Sequence, residues 1–138
     1  MKRGRLILKE IFIITILSIL TLFFVFEAKA QYTDTQKRLM ARRAARVDAL
    51  RNFTETIHGI KIDATTTVKN FVTQDDKINA TLSGKIQEAQ EIDYREQADG
   101  TAEVTLEIPT DSVENIIGRK LDYDYRTIRA TGNGAPPK

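Results

Sequence analysis

Apolar and polar positions divide the chain into a leader and a domain. Met1–Lys9 is basic, and Ile11–Phe26 is a continuous apolar run broken only by Thr15, Ser18 and Thr21. Ala28-Lys29-Ala30 follows, a small-x-small pattern of the kind a signal peptidase reads, with Gln31 as the new N-terminus. Residues 1–30 are therefore expected to be an export signal cleaved near Ala30. The alternative is an uncleaved inner-membrane anchor formed by Ile11–Phe26, a run somewhat short of the roughly 20 residues a span needs. Either way the four basic residues Lys2, Arg3, Arg5 and Lys9 hold the N-terminus inside, and the domain is delivered to the periplasm or cell surface.

Beyond the leader the period becomes helical. Thr35–His58 contains neither Gly nor Pro and is dominated by Ala, Leu, Met and Arg, which predicts one helix of about six turns. Thr33, Asp34 or Thr35 can cap it, and Gly59 suits a left-handed C′ position. Three rows run along it. Leu39, Arg43, Arg46, Leu50, Phe53 and Ile57 carry the bulk and are expected to lie on a sheet. Met40, Ala44, Val47 and Thr54 form a second row, a candidate assembly surface. Ala41, Ala45, Ala49, Asn52 and Thr56 form a third, small enough for another backbone to approach closely. One sheet needs only one apolar stripe, so these rows either suggest a second partner such as another subunit or simply reflect alanine as a good helix former.

After Gly59 a period of two takes over. Ile60, Ile62 and the β-branched run to Val68 predict a strand, with Val68, Phe71 and Val72 extending the apolar signal. Gln74–Lys77 reads as a turn, and Ile78, Ala80 and Leu82 alternate as a second strand, with Gly84 marking a bulge. Ile86, Ile92 and Tyr94 extend that strand or begin another. Asp99-Gly100 is a hairpin signal, and Ala102, Val104, Leu106 and Ile108 alternate cleanly with polar neighbours. Pro109 ends that strand. Thr110 or Asp111 then caps a short helix, with Glu114 in capping-box position and Val113, Ile116, Ile117 and Leu121 as its stripe. The expected fold class is α+β: a long N-terminal helix packed on a three- to four-stranded antiparallel sheet, followed by a short C-terminal helix. The domain is placed at 31–121, with 122–138 as a flexible tail.

Charge narrows the partners. Of 21 basic and 19 acidic residues, five and two lie in residues 1–30, so 16 and 17 remain and the domain is near neutral. A nucleic-acid footprint is absent at that level. The chain has no Cys, which excludes disulfides, thiolate catalysis and lipid attachment through an N-terminal Cys. His58 is the only histidine, and its place at a helix C-terminus suggests an interaction with the dipole. Asp75, Asp76, Asp93, Asp99, Asp111, Asp122 and Asp124 are scattered through turns and caps, with no pairing suited to acid–base work, and Asp122-Tyr123-Asp124 lacks the ligand count and Gly of a calcium loop. Tyr123 and Tyr125 are expected at the core edge or as an exposed contact. No cofactor, metal or catalytic residue is expected, and the chain is read as a non-enzyme. Arg38, Arg42 and Arg46 recur at every fourth position and are a candidate stripe for an anionic glycan or lipid, which includes contact with a membrane surface, the alternative being a solvated face with local ion pairs such as Asp48 with Arg51.

The segment Ala41-Arg42-Arg43-Ala44-Ala45-Arg46-Val47-Asp48-Ala49-Leu50-Arg51-Asn52-Phe53, followed by Ile57-His58-Gly59, resembles the opening helix of the LPP-twenty lipoprotein family. It is similar as well to the N-terminal domain of the flagellar motor T protein and to the flagellar outer-membrane P protein. Thr67-Val68, Gly84 with Ile86 and Ala89, and Asp99-Gly100 leading into Val104–Ile108 extend the likeness across about residues 41–108. The resemblance implies a helix packed on an antiparallel sheet, a non-enzymatic structural role in the envelope or flagellar base, and assembly into rings or discs, as a homo-oligomer or with envelope or flagellar proteins. Its motif positions here are Ala45, Asp48, Ala49, Asn52, Gly59, Gly84, Asp99 and Gly100. One departure stands out: Gln31 occupies the place where a lipoprotein carries Cys.

Overall fold

A computed structural model describes residues 2–25 and 31–138, with side chains for 3–19 and 31–138. It contains two compact units, Met1–Gln31 and Tyr32–Lys138. The first is a single helix, α1 (Lys2–Val25). Its large apolar side chains from Leu6 to Ile19 are 49–68% exposed. Thr15 bends its hydroxyl back to the Ile11 carbonyl at 2.7 Å, the usual way a mid-helix Thr satisfies itself. Among the described residues no helix is long and apolar enough to cross a membrane. The cleavage pattern at Ala28–Ala30, and Phe26 at the end of the proposed anchor, lie outside the described residues.

The second unit is α+β: α2 (Asp34–Gly59), α3 (Val68–Val72), α4 (Asp76–Gln87), β1 (Gln90–Glu96), β2 (Ala102–Pro109), α5 (Thr110–Ile117) and β3 (Thr127–Gly134). The strands form one antiparallel sheet in the order β1-β2-β3. Thr33 starts α2 through a full capping box: its hydroxyl accepts the Gln36 N–H while the Gln36 side chain accepts the Thr33 N–H. Val104, Leu106 and Ile108 of β2 and Ile128 of β3 are buried beneath α2, together with Phe53 and Ile57. Leu82, Ile86, Val68, Val72, Val113 and Ile117 complete the core.

The face of α2 that meets the core is Ala41, Ala45, Ala49, Phe53 and Ile57. This corrects the expected row: Leu39 is 51% exposed, Arg43 is exposed and Arg46 and Leu50 are half-buried. A strict spacing of four winds obliquely around a helix. The ridge therefore presents alanine backbone at one end and bulky side chains at the other.

Several local expectations are replaced. Residues 60–68 form no strand; Lys61 alone makes isolated bridges to Thr67 and Asp122. The Asp63 carboxylate accepts the Thr65 and Thr66 N–H groups and so turns the chain. Residues 78–83 are helical, because Asp75 caps the Lys77 and Ile78 N–H groups and Ile78, Leu82 and Ile86 share one face. Gly84 therefore sits inside α4 and marks no bulge. The bulge falls instead at Ile92, where the register shifts between Glu91 and Asp93. Gly59 closes α2 without a positive φ, whereas Gly100 adopts one in the β1–β2 hairpin as expected. The capping box proposed for α5 does not form. Glu114 instead accepts the Leu121 N–H and pairs with Lys120, and the Thr110 hydroxyl reaches back to the Tyr125 carbonyl.

The largest correction is the tail. Residues 122–138 contain β3, paired with β2 from Thr127 to Gly134, so the domain does not end at 121 and α5 is not its last element. Ile128, Ala130, Gly132 and Gly134 alternate toward α2 while Thr127, Arg129, Thr131 and Asn133 face away. That inward row lacks bulk because the helix itself occupies the space.

Candidate functional site

Motif positions Ala45, Asp48, Ala49 and Asn52 are gathered on one flank of α2, against β3. A Cβ added at Gly132 would overlap the backbone of Ala45 and Ala49, and one at Gly134 the backbone of Ala41 and Ala45. Two side chains then bind the free margin of the strand. The Asn133 N–H donates to Asp48 Oδ2 at 3.0 Å, and Asn52 Nδ2 donates to the Thr131 carbonyl at 2.9 Å. The Asn133 N–H is the main reason the Asp48 carboxyl lies below its ordinary 3.8, with Arg51 adding to it. The motif is thus a suture between helix and strand. Asp99, which holds the Thr101 N–H and hydroxyl, and Gly100 shape the hairpin far from it in sequence.

The opposite flank carries Arg38, Arg42 and Arg46, which face β1. Arg38 Nε lies 3.0 Å from Glu96. Arg42 lies 2.6 Å from Glu91 and stacks over the Tyr94 ring at 4.6 Å. Arg46 lies 3.6 Å from the same Glu91 and donates to the Ala89 carbonyl at 3.3 Å. All three guanidinium groups therefore have carboxylates of the same chain as partners.

Of the expected assembly row Met40, Ala44 and Val47, Val47 lies on the side of α2 turned from the sheet, whereas the Ala44 side chain lies beside Gly134 of β3. Met40 is half-buried, Ala44 is exposed and Val47 is 67% exposed. Elsewhere, an open cavity of about 300 Å³ is bordered by Thr110, Asp111, Glu114, Tyr123 and Tyr125. The two tyrosine rings meet edge to face at 5.4 Å. Tyr123 packs on the core while Tyr125 is 71% exposed, so the pair divides between the two expected roles. His58 lies below its ordinary 6.5, because burial and then nearby Lys69 disfavour its charged form. Among the described residues no His, Cys, Asp or Glu cluster could hold a metal ion, and no buried side-chain polar atom lacks a partner.

Glu91 and Glu96, the partners of the arginine stripe, were missed in the sequence; an acidic residue at each end of the segment preceding the Asp99-Gly100 turn was the available signal. No family model, curated protein or solved structure matches this chain.

Proposed function

We propose that the chain is an exported, non-enzymatic bacterial cell-envelope protein whose role is structural. It acts by self-association or by binding envelope proteins, those of the flagellar base among them. The observation that carries this reading is the outward side of α2, where Val47 and Leu39 stand 67% and 51% exposed. The inner side of the helix is already saturated by β2 and β3, so these apolar groups have no work in the fold. A stable interface takes about 800 Å² per partner, and a helix of 26 residues, about 39 Å long, can supply much of it. α1 supports export: beyond its charged first turns, the large apolar side chains from Ile11 to Ile19 are 49–66% exposed.

The anionic-ligand alternative is weaker. A ligand would have to displace Glu91 and Glu96 from guanidinium groups they already reach. Two measurements test the proposal. Intact mass of the protein recovered from the envelope fraction should show a chain beginning at Gln31; a chain still beginning at Met1 overturns cleavage. Crosslinking in intact cells should capture a second copy or an envelope neighbour, and a strict monomer with no captured neighbour overturns the assembly role.

A further inference from the structure

The two margins of the sheet are finished differently. In an antiparallel ladder successive residues turn their backbone groups alternately toward and away from the neighbouring strand. Thr131 and Asn133 turn theirs away from β2, toward Asn52 and Asp48. Their partners Thr105 and Glu103 must then turn toward β1, where they meet Asp93 and Arg95. It follows that Tyr94 and Glu96 of β1 direct their N–H and carbonyl groups outward. α2 reaches this margin only through arginine side chains, which engage the Glu91 and Glu96 carboxylates and the Tyr94 ring. Among the described residues, no side chain seals the backbone of β1 as Asp48 and Asn52 seal that of β3.

We propose that this open margin pairs with β1 of a second copy, antiparallel about a two-fold axis at Tyr94, so that two three-stranded sheets become one of six strands. The inference rests on the assembly reading above and names its partner and surface. The sequence of the strand selects the register. With Tyr94 opposite Tyr94 of the second copy, Asp93 stands opposite Arg95 in both directions. Centring the pair on residue 93 sets Asp93 against Asp93, and centring it on residue 95 sets Arg95 against Arg95; like charges directly opposite are destabilising. Asp93 and Arg95 already lie 2.9 Å apart within one chain, with side chains 42% and 70% exposed, so the dimer joins two such pairs into a square of alternating charge. The opposite face brings together two tyrosine rings, each covered by Arg42. Ile92, 40% exposed at the bulge, falls beside Glu96 of the second copy. A strand of seven residues is about 23 Å long, and its edge alone covers less than the standard interface area. The association is accordingly reversible and concentration-dependent.

The chain has no Cys, so a single introduced thiol reports contact cleanly. Tyr94→Cys sits on the proposed axis, where paired Cα atoms are about 5.5 Å apart, within the range a disulfide spans. In the full chain expressed in cells and mildly oxidised, Tyr94→Cys should form a disulfide homodimer. Asp93→Arg should weaken association of the purified protein roughly tenfold with its melting temperature unchanged, and the swap Asp93→Arg/Arg95→Asp should restore it. Absence of the Tyr94→Cys dimer, its capture of a different protein, or failure of the swap to restore association overturns the proposal. Val47→Cys separates this from the broader reading. A crosslink there without one at Tyr94→Cys removes the β1 edge and keeps assembly; no crosslink at either, with no captured envelope neighbour, removes both.

Discussion

Along its β3 side, α2 lies so close to the sheet that Gly132 and Gly134 have no room for a Cβ. Along its β1 side the helix stands off, and Arg38, Arg42 and Arg46 bridge the distance to Glu91, Glu96 and Tyr94. The same helix thus meets the same sheet through small residues on one flank and long charged ones on the other. The close flank excludes water and fixes backbone against backbone, so errors there cannot relax. The distant flank is solvated, and its ion pairs exchange readily with water. Stability belongs to the first, and freedom to vary or to meet a partner belongs to the second.

The comparison is broken most severely at Gly132. Gly132→Val adds three carbons where the nearest atoms are helix backbone, so the helix must lift from the strand. The cost should reach or exceed the top of the ~1–3 kcal/mol range for overpacking. At about 4–8 °C per kcal/mol for a domain this size, thermal melting should fall by more than about 12 °C, or the protein should fail to accumulate. A variant that melts within a few degrees of wild type would mean the flank is not closely packed. Ala49→Leu comes next. Ala49 is fully buried, and the larger side chain should cost about 1–3 kcal/mol. The same change at the exposed Ala44 should cost clearly less, and the difference in melting midpoint between the two is the measurement.

How much of this was legible depended on whether a residue's environment lay in its own side chain. β2 was plain, because Val104, Leu106 and Ile108 alternate with Glu103, Thr105 and Glu107, and Asp99-Gly100 marks the turn before it. The small row of α2 left room for a close backbone, but that backbone is the chain's own β3 and not the second partner that the row suggested. That backbone went unrecognised because Thr131-Gly132-Asn133-Gly134 contains no strong β-former. Its period of two, running from Ile128 through Ala130 to the two glycines, was the missed clue. Residues 78–86 carry two periods at once: Ile78, Ala80 and Leu82 fit a strand, whereas Ile78, Leu82 and Ile86 fit a helix, and the Asp75 cap decides. The arginine stripe was visible from its spacing. Its carboxylates lie about fifty residues away on a strand whose register the sequence does not disclose.

The suture itself offers a smaller test. Asn52→Ala removes the donor to the Thr131 carbonyl and should cost about 1 kcal/mol. Asp48 can be probed through pH. Its carboxyl lies below its ordinary 3.8 in the folded protein, so its contribution is present above the unfolded value and is lost as pH falls through the folded one. Asp63, Asp99 and Glu114 are lowered in the same way, so acid sensitivity by itself identifies none of them. The informative quantity is the difference between wild type and Asp48→Asn. That difference should be present near neutral pH and narrow as pH falls below about 4. A gap that stays constant would place the benefit of Asp48 in shape rather than charge.

The least effect is expected on the distant flank. Arg42→Ala breaks the 2.6 Å contact with Glu91 and uncovers Tyr94. The Arg42 side chain is 49% exposed, so the ion pair is solvent-screened and worth at most about 1 kcal/mol. The stacking over Tyr94 adds a comparable or smaller amount at such a site. Glu91 is not abandoned, because Arg46 lies 3.6 Å away and can take a larger share of it. The expected change in folding stability is therefore below about 1 kcal/mol, and added salt should shrink it further. Paired urea titrations of wild type and Arg42→Ala at low and high salt measure both. A large, salt-independent loss would show that the arginine stem, not its charge, holds helix to strand, and the contrast between the two flanks would collapse into a single close-packed interface.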